Sequence, residues 1–154
     1  MSKKHLIISF ISIFLLIMQG CTASQSGTVF LLDADLKQSG KHIEVKGTAN
    51  LPDQAMILVS WLDPEKEAAM NQNIVVQEFA FMAGGQFSAV LKPLKEVSPG
   101  HYKVRLRFSP TSYDPSNGGV HAAVGSKGEN LAGPQVVQEE DIKMLVNLLE
   151  IDYQ

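Results

Sequence analysis

A strict alternation of polar and apolar residues is the feature that most constrains how this chain folds. In KVRLRF at 103–108 three apolar residues alternate with three cationic ones, and HIEVKGTANL at 42–51 alternates in the same way. Successive side chains of a β-strand point to opposite faces, so each segment predicts a strand with one solvated and one buried face. The predicted inward residues are Val104, Leu106 and Phe108 in the first segment, and Ile43, Val45, Gly47 and Ala49 in the second.

Five further segments have strand composition and are separated by residues typical of turns. AMILVSWL at 55–62 is apolar on both sides, as expected of a central strand covered on each face. KMLVNLLEIDY at 143–153 fits a helix or a strand by its period, and we predict a strand because the preceding strand would otherwise have an unpaired edge. The other strands are predicted at 29–36, 73–82 and 86–92. The chain therefore predicts an all-β fold of about seven strands, and its single cysteine excludes an internal disulfide.

Two connections differ from simple turns. Asp63-Pro64 followed by EKEAAM at 65–70 predicts a short helix with Asp63 as its N-cap. Residues 109–142 are rich in Ser, Gly, Pro and Asn, and predict a long loop with one helical turn at 120–124. Long loops in compact domains are often functional, although a loop that merely covers a sheet edge is the alternative.

The first residues have the pattern of an export signal. Lys3 and Lys4 precede a 13-residue apolar run, Leu6 to Met18, that is interrupted only by two serines. A membrane-spanning helix needs about 20 apolar residues, so the run is too short to span and is typical of a signal peptide.

The apolar run ends in IMQGC, where Gly20 directly precedes Cys21. This sequence resembles the lipobox of bacterial lipoproteins, in which a small residue precedes a cysteine that is diacylated on its sulfur and becomes the new N-terminus. The resemblance implies a signal peptide at 1–20, lipidation of Cys21 and attachment to the extracytoplasmic face of a membrane. A plain secretory signal cleaved near Ala23, or an uncleaved anchor with a buried thiol, are the alternatives.

The expected domain organisation follows from this leader. Residues 21–27 are small and polar, as in a flexible tether, and a single domain is expected at 28–154. Loss of residues 1–20 removes two of the 13 Lys and Arg residues and none of the 16 acidic ones, so the net charge becomes two units more negative than −3. That balance disfavours nucleic acid and anionic headgroups as partners.

Tyr102 has a spacing with a known structural meaning. It follows a Pro-Gly turn by two residues and precedes Val104 by two. This pattern resembles the tyrosine corner of immunoglobulin-like sandwiches, a feature shared by fibronectin-type turns, in which a Tyr near the start of the sixth strand bonds back to the preceding turn. The resemblance implies that Val104 fills the second disulfide position, that Val45 or Gly47 fills the first, and that Trp61 is the core tryptophan. It implies an architecture and transfers no active site.

Two groups of residues are candidate binding sites. The first lies in the 109–142 connection, which we expect to contact a partner. Its polar and aromatic members are Tyr113, Asp114, Asn117, His121, Lys127 and Glu129. The second is the cationic row Lys103, Arg105 and Arg107, which is suited to an acidic protein or an anionic cell-wall polymer. A solvated row that pairs with Glu44 or Glu78 is the alternative.

Signals for catalysis or for a cofactor are weak. The histidines of the expected mature chain, His42, His101 and His121, lie on three different elements, and no HxH, HExxH, CxxC or GxSxG motif is present. The methionines suit core packing better than a soft copper site. Neither Asp33 with Asp35 nor Asp63 with Glu65 belongs to a calcium loop. We therefore expect no enzyme, no cofactor and no metal.

These observations favour a lipid-anchored extracytoplasmic binding module whose partner is another envelope protein or a cell-wall polymer. A metal or small-ligand carrier of the cell envelope, built from His121 and methionines, is the alternative. Stoichiometric metal in native mass spectrometry would identify the carrier.

The anchor gives the first prediction. In a bacterial host the protein should carry acyl chains on Cys21 and fractionate with membranes, and Cys21→Ser should release soluble or unprocessed protein, because stable attachment needs acyl chains. Fractionation with mass spectrometry of the N-terminal peptide measures both. Equal membrane association of both forms through an uncleaved leader would contradict the lipoprotein interpretation.

Overall fold

Two antiparallel sheets make up the computed structural model, which describes residues 28–66, 73–112 and 118–154. The small sheet has the strand order β1-β2-β5 and the large sheet has the order β4-β3-β6-β8-β7. The predicted all-β sandwich is therefore confirmed, with eight strands in the described part of the chain. The elements are β1 (Leu32–Ser39), β2 (His42–Ala49), β3 (Met56–Leu62), β4 (Ile74–Phe81), β5 (Gln86–Leu91), β6 (Gly100–Phe108), α1 (Gly118–Val124), β7 (Val136–Glu139) and β8 (Ile142–Tyr153).

The alternating segments form strands for the reason their pattern predicts. All three apolar residues of 103–108 are fully buried in β6, and the four predicted inward residues of β2 are buried as well. Each strand thus places one side on the core between the sheets and the other outward. The faces predicted from the sequence are confirmed for both strands.

The segments predicted as strands at 55–62 and 143–153 are strands in the structure. β3 lies between β4 and β6 in the large sheet. Its last three residues are all buried, so both faces of the strand are covered there. The segment predicted at 143–153 is β8, which pairs with β6 from Gly100↔Tyr153 to Phe108↔Leu145. The predicted strand is confirmed: β8 covers the edge that β6 would otherwise expose.

The prediction of a structureless loop at 109–142 is wrong for the described residues of that segment. A 3-10 turn at Pro110–Ser112 and helix α1 follow β6, and the strand β7 then pairs with β8. Val120 and Val124, four residues apart on one face of α1, are fully buried in the core. The helical turn predicted at 120–124 is confirmed, but the segment as a whole packs onto the sandwich through its own apolar residues.

Tyr102 makes the hydrogen bond that the corner resemblance implies. Its hydroxyl donates to the backbone oxygen of Ser98 at 2.8 Å, and burial raises the pKa of the phenol above 10.0. Trp61 is fully buried and lies between two tyrosines, with ring centroids 5.5 Å from Tyr102 and 4.9 Å from Tyr153. This three-ring cluster fills the core where β3, β6 and β8 run side by side.

An aromatic ring packs directly against the backbone of Gly47 in β2. A Cβ on Gly47 would lie 2.0 Å from a ring atom of Phe87 on the neighbouring strand β5, so only glycine leaves room for that ring. Val45 and Val104 are both fully buried in the same core cluster. The core is thus closed by apolar packing between the sheets.

Side-chain amides join the edge strand β1 to the large sheet. The Gln135 amide accepts from the backbone N–H of Leu32 at 2.7 Å and donates to its carbonyl at 2.9 Å. The Gln38 amide makes the same pair of bonds with the backbone of Gln154, at 2.9 and 2.7 Å. The Gln135 bonds satisfy backbone groups of Leu32 that an edge strand otherwise leaves open for pairing with another chain.

Several predicted features lie outside the described residues. They are the leader at 1–20, Cys21 with the tether at 21–27, and most of the predicted helix at 65–70. The Asp63 carboxylate does accept from the backbone N–H of Glu65 at 3.1 Å, as a capping residue does. Among the described residues, no helix has the length and apolar content needed to cross a membrane.

The three-ring cluster gives the second prediction. Trp61→Ala should lower the free energy of unfolding by about 3–5 kcal/mol because it leaves a large cavity. Tyr102→Phe keeps the ring and removes one hydrogen bond, so it should lower it by only about 0.5–1.5 kcal/mol. Urea denaturation followed by circular dichroism measures both, and a solvent-exposed emission maximum of Trp61 in the native protein would contradict this packing.

Candidate functional site

The cationic row lies on the side of the large sheet that faces away from the core. The register places Leu58 of β3 directly opposite both Phe79 of β4 and Arg107 of β6, and it places Arg107 opposite Val146 of β8. Residues that are opposite in adjacent strands share a face. We call this surface the outer face; it comprises Leu58, Phe79, Phe81, Lys103, Arg105, Arg107, Val146, Leu148 and, opposite Lys103, Glu150.

Large apolar side chains border the cations on the outer face. Phe79 and Phe81 are 59% and 60% exposed on the edge strand β4, and Leu148 is 48% exposed on β8. Sequence reasoning assigned these residues to strands but not to a site. The sequence signal for these exposed phenylalanines is EFAF at 78–81, where Phe79 and Phe81 alternate with Glu78 and Ala80. Ala80 is buried, so both phenylalanines point to the opposite, exposed side of β4.

The three cations have no acidic partner within ion-pair distance among the described residues. The guanidinium of Arg107 is held by the Met144 sulfur, 3.3 Å from Nε and 3.0 Å from Nη2. The Nε of Arg105 is buried and has no hydrogen-bond acceptor in the described part of the chain. A buried donor without an acceptor costs about 1–3 kcal/mol, so the row carries both unpaired charge and unmet hydrogen bonding.

The alternative in which the row pairs with Glu44 or Glu78 is wrong. Glu44 belongs to β2 of the small sheet, where its carboxylate lies 3.6 Å from the His42 ring. Glu78 is opposite Val59, a buried residue, and therefore points to the other side of β4. Glu44 is thus on the other sheet, and Glu78 is on the opposite face of the large sheet from the cations.

His101 contacts the two acidic residues at one end of the cationic row, Asp152 and Glu150. The His101 ring lies 2.9 Å from the Asp152 carboxylate and 3.6 Å from that of Glu150, which is opposite Lys103 in the register. The hydrogen bond to Asp152, with a smaller contribution from Glu150, raises the pKa of His101 above 6.5, although desolvation opposes the shift. These two carboxylates are therefore engaged by His101 and leave Lys103 without an ion pair.

The outward side of the small sheet has a different character. Asp35 is opposite Lys46, and Lys37 is opposite Glu44, so its charges alternate in sign across the strands. Among the described residues of this side, the one large apolar side chain that is exposed is Val90, at 51%. Balanced charges typify a solvated surface, whereas on the outer face Arg105 and Arg107 have no acidic residue opposite them and share the face with exposed aromatic rings.

The loop residues predicted as a site are not brought together. Tyr113, Asp114 and Asn117 lie outside the described residues. The His121 Nε2 is 3.0 Å from the Pro110 carbonyl, and the Lys127 ammonium pairs with Asp141 at the turn between β7 and β8. Both described members therefore hold the connection in place, as does Glu129, whose carboxylate accepts from the Lys127 backbone N–H at 3.0 Å.

A groove of about 860 Å³ lies between β4 and the segment before β6. Its charged lining includes Lys66, which pairs with Asp63 at 2.9 Å, and Glu96, which pairs with Lys41 at 2.8 Å. The side chains of the second pair are both more than four-fifths exposed, and ion pairs on a surface contribute little to stability.

Metal ligands are not clustered in the described part of the chain. No three His, Cys, Asp or Glu side chains there are placed to hold an ion. Met82 and Met144 are each 2% exposed, in agreement with the packing role expected for methionines, and Met70 lies outside the described residues.

A search of protein-family models, of curated proteins and of solved structures found no match to this chain. The class that the geometry defines is an all-β sandwich with one polar, charge-balanced outward surface and one cationic, partly aromatic one. Inferences about function therefore rest on the chain's own residues.

Proposed function

We propose that this chain is a lipid-anchored, extracytoplasmic binding module that has no catalytic activity and contacts a partner protein through the outer face. A single observation carries the proposal: Lys103, Arg105 and Arg107 have no acidic partner within ion-pair distance among the described residues, and they share a face with exposed phenylalanines from which only β3 separates them. Binding surfaces are rich in aromatic and arginine side chains, and Arg is the cation that pairs best with planar carboxylates.

Burial of the outer face by a partner would remove two costs. Full burial of a phenylalanine side chain contributes about 1.5–3 kcal/mol relative to exposure, and Phe79 and Phe81 are both more than half exposed. A carboxylate of the partner would also pair with the charge of Arg105, which has no acidic partner within ion-pair distance among the described residues. Both gains arise only when the face is covered, so they favour association over a solvated surface.

The proposed anchor is Cys21, supported by the Gly-Cys pair after the apolar run. Lipid on this residue would hold the domain at the membrane surface through the residues that precede Thr28. The alternative of a metal or ligand carrier has no support from a described contact, since His121 is bonded to the Pro110 carbonyl.

Photo-crosslinking in cells gives the third prediction. A photoreactive residue at position 79 should form a protein adduct, and R105Q/R107Q in the same background should remove it, because the arginines supply the charged part of the contact. The matched control is K37Q/K46Q, which removes two cations from the outward side of the small sheet and should preserve the adduct. A photoreactive residue at position 90, also on that side, should give none.

Two results would contradict the proposed function. One is the absence of any adduct at position 79 in cells that produce the acylated protein. The other is an equal adduct at positions 79 and 90 that is insensitive to both arginine substitutions, since that would reflect crowding instead of recognition.

A further inference from the structure

We infer that the outer face recognises a short acidic segment of another protein, which lies across the strands with a carboxylate at Arg105 and Arg107 and apolar side chains over Phe79 and Leu148. This inference rests on the proposed function and specifies the chemistry of the partner. It follows from the order of side chains across the sheet, from their charges and from the size of the patch.

One row of side chains across the sheet places a cation between apolar groups, an order that an extended segment can match. From β4 to β8 one row contains Phe79, Leu58, Arg107 and Val146, so a cation lies between apolar groups. Four adjacent strands span roughly 14 Å. Alternate residues of an extended chain are spaced by roughly 6.6 Å, so an apolar, an acidic and an apolar residue at alternate positions cover the same distance.

The cations select acidic groups for geometric reasons. Arg105 and Arg107 are two residues apart on β6, so their Cα atoms are separated by roughly 6.6 Å and both project from the same side. The contact with Met144 restrains the Arg107 guanidinium, which lowers the entropy lost when it binds a carboxylate. Planar guanidinium groups bind carboxylates through two parallel hydrogen bonds.

A second copy of this chain does not fit the outer face. Packing of the face on itself in a twofold dimer would bring the Lys103, Arg105 and Arg107 row against its own copy. Packing against the outward side of the small sheet would oppose the cations to a surface where Asp35 is balanced by Lys46 and Glu44 by Lys37. The acidic residues at one end of the outer face, Glu150 and Asp152, lie within ion-pair distance of His101, so self-packing does not bring a free carboxylate of that face to Arg105 and Arg107.

The size of the patch favours a segment over a globular partner. The cationic row extends roughly 13 Å along β6, and a standard interface between folded proteins buries about 800 Å² on each side. The row and its apolar borders are smaller than that. Exposed phenylalanines beside the cations favour a peptide with apolar side chains over a polyanion that offers only phosphate or carboxylate groups.

The test uses the full chain in nanodiscs of zwitterionic lipid and a labelled peptide of about nine residues, long enough to cross the sheet. The first probe has one Glu with Leu two positions before and two positions after it. The second replaces this Glu by Gln, and the third replaces both Leu residues by Ser. Fluorescence anisotropy measures the affinity of each probe for the unmodified chain, for R105Q/R107Q, for Phe79→Ser and for the control K37Q/K46Q. Circular dichroism verifies that each variant is folded.

We expect the Glu probe to bind at least about tenfold more tightly than the Gln or Ser probe. R105Q/R107Q should abolish the preference for Glu, and Phe79→Ser should abolish the preference for Leu. K37Q/K46Q should preserve both preferences.

Equal binding of the Glu and Gln probes to the unmodified chain would overturn the inference, as would a preference for Glu that persists in R105Q/R107Q. Vesicles that contain phosphatidylglycerol provide a further arm. Arginine-dependent binding to those vesicles without binding of the Glu probe would assign the face to a membrane and overturn the inference. If the probes fail while the adduct at position 79 remains dependent on the arginines, the binding function stands and the acidic segment is wrong.

Discussion

The packing of Trp61 between Tyr102 and Tyr153 is the contact on which the large sheet depends. These rings come from β3, β6 and β8, and all three point into the core. Because side chains alternate along a strand, their inward direction determines which face every other residue of those strands occupies. A shift of one residue would bury Lys103, Arg105 and Arg107 and expose Val104, Leu106 and Phe108. The core cluster thus determines the position of the cations on the outer face.

The rest of the chain closes the sandwich and leaves the outer face uncovered. Amide side chains of Gln38 and Gln135 join β1 to the large sheet, and α1 contributes two valines to the core. The polar residues of the 109–142 connection that the structure describes are occupied in holding that connection. Cations without acidic partners and exposed phenylalanines are instead concentrated on β4 and β6, where no other described element covers them. The inward side of the large sheet thus forms the core, and its outward side carries the surface that we propose for binding.

The sequence predicted the parts of the fold that depend on short-range alternation. The faces of β2 and β6 follow from their patterns, as do the central place of β3 and the corner at Tyr102. It did not predict β7, since VVQE is only four residues long and becomes a strand by pairing with β8. Nor did it predict how the described residues of the 109–142 connection pack, since the burial of Val120 and the pairing of Lys127 with Asp141 are tertiary contacts. The outward direction of Lys103, Arg105 and Arg107 follows from the alternation of β6, but the alignment of Phe79 with their row depends on the pairing of β3 with β4 and β6.

The most direct test of this account is hydroxyl-radical footprinting of Phe79 in intact cells and in the purified protein. Phe79 is 59% exposed in the isolated chain, while Leu94 and Val90, away from the outer face, are 101% and 51% exposed. If a partner covers the outer face, the oxidation rate of Phe79 should be lower in cells than in the purified protein. The oxidation rates of Leu94 and Val90 should be nearly the same in both. Oxidation of Phe79 in cells at the rate seen for the purified protein, with the two reference residues unchanged, would contradict the claim that the outer face is the binding surface.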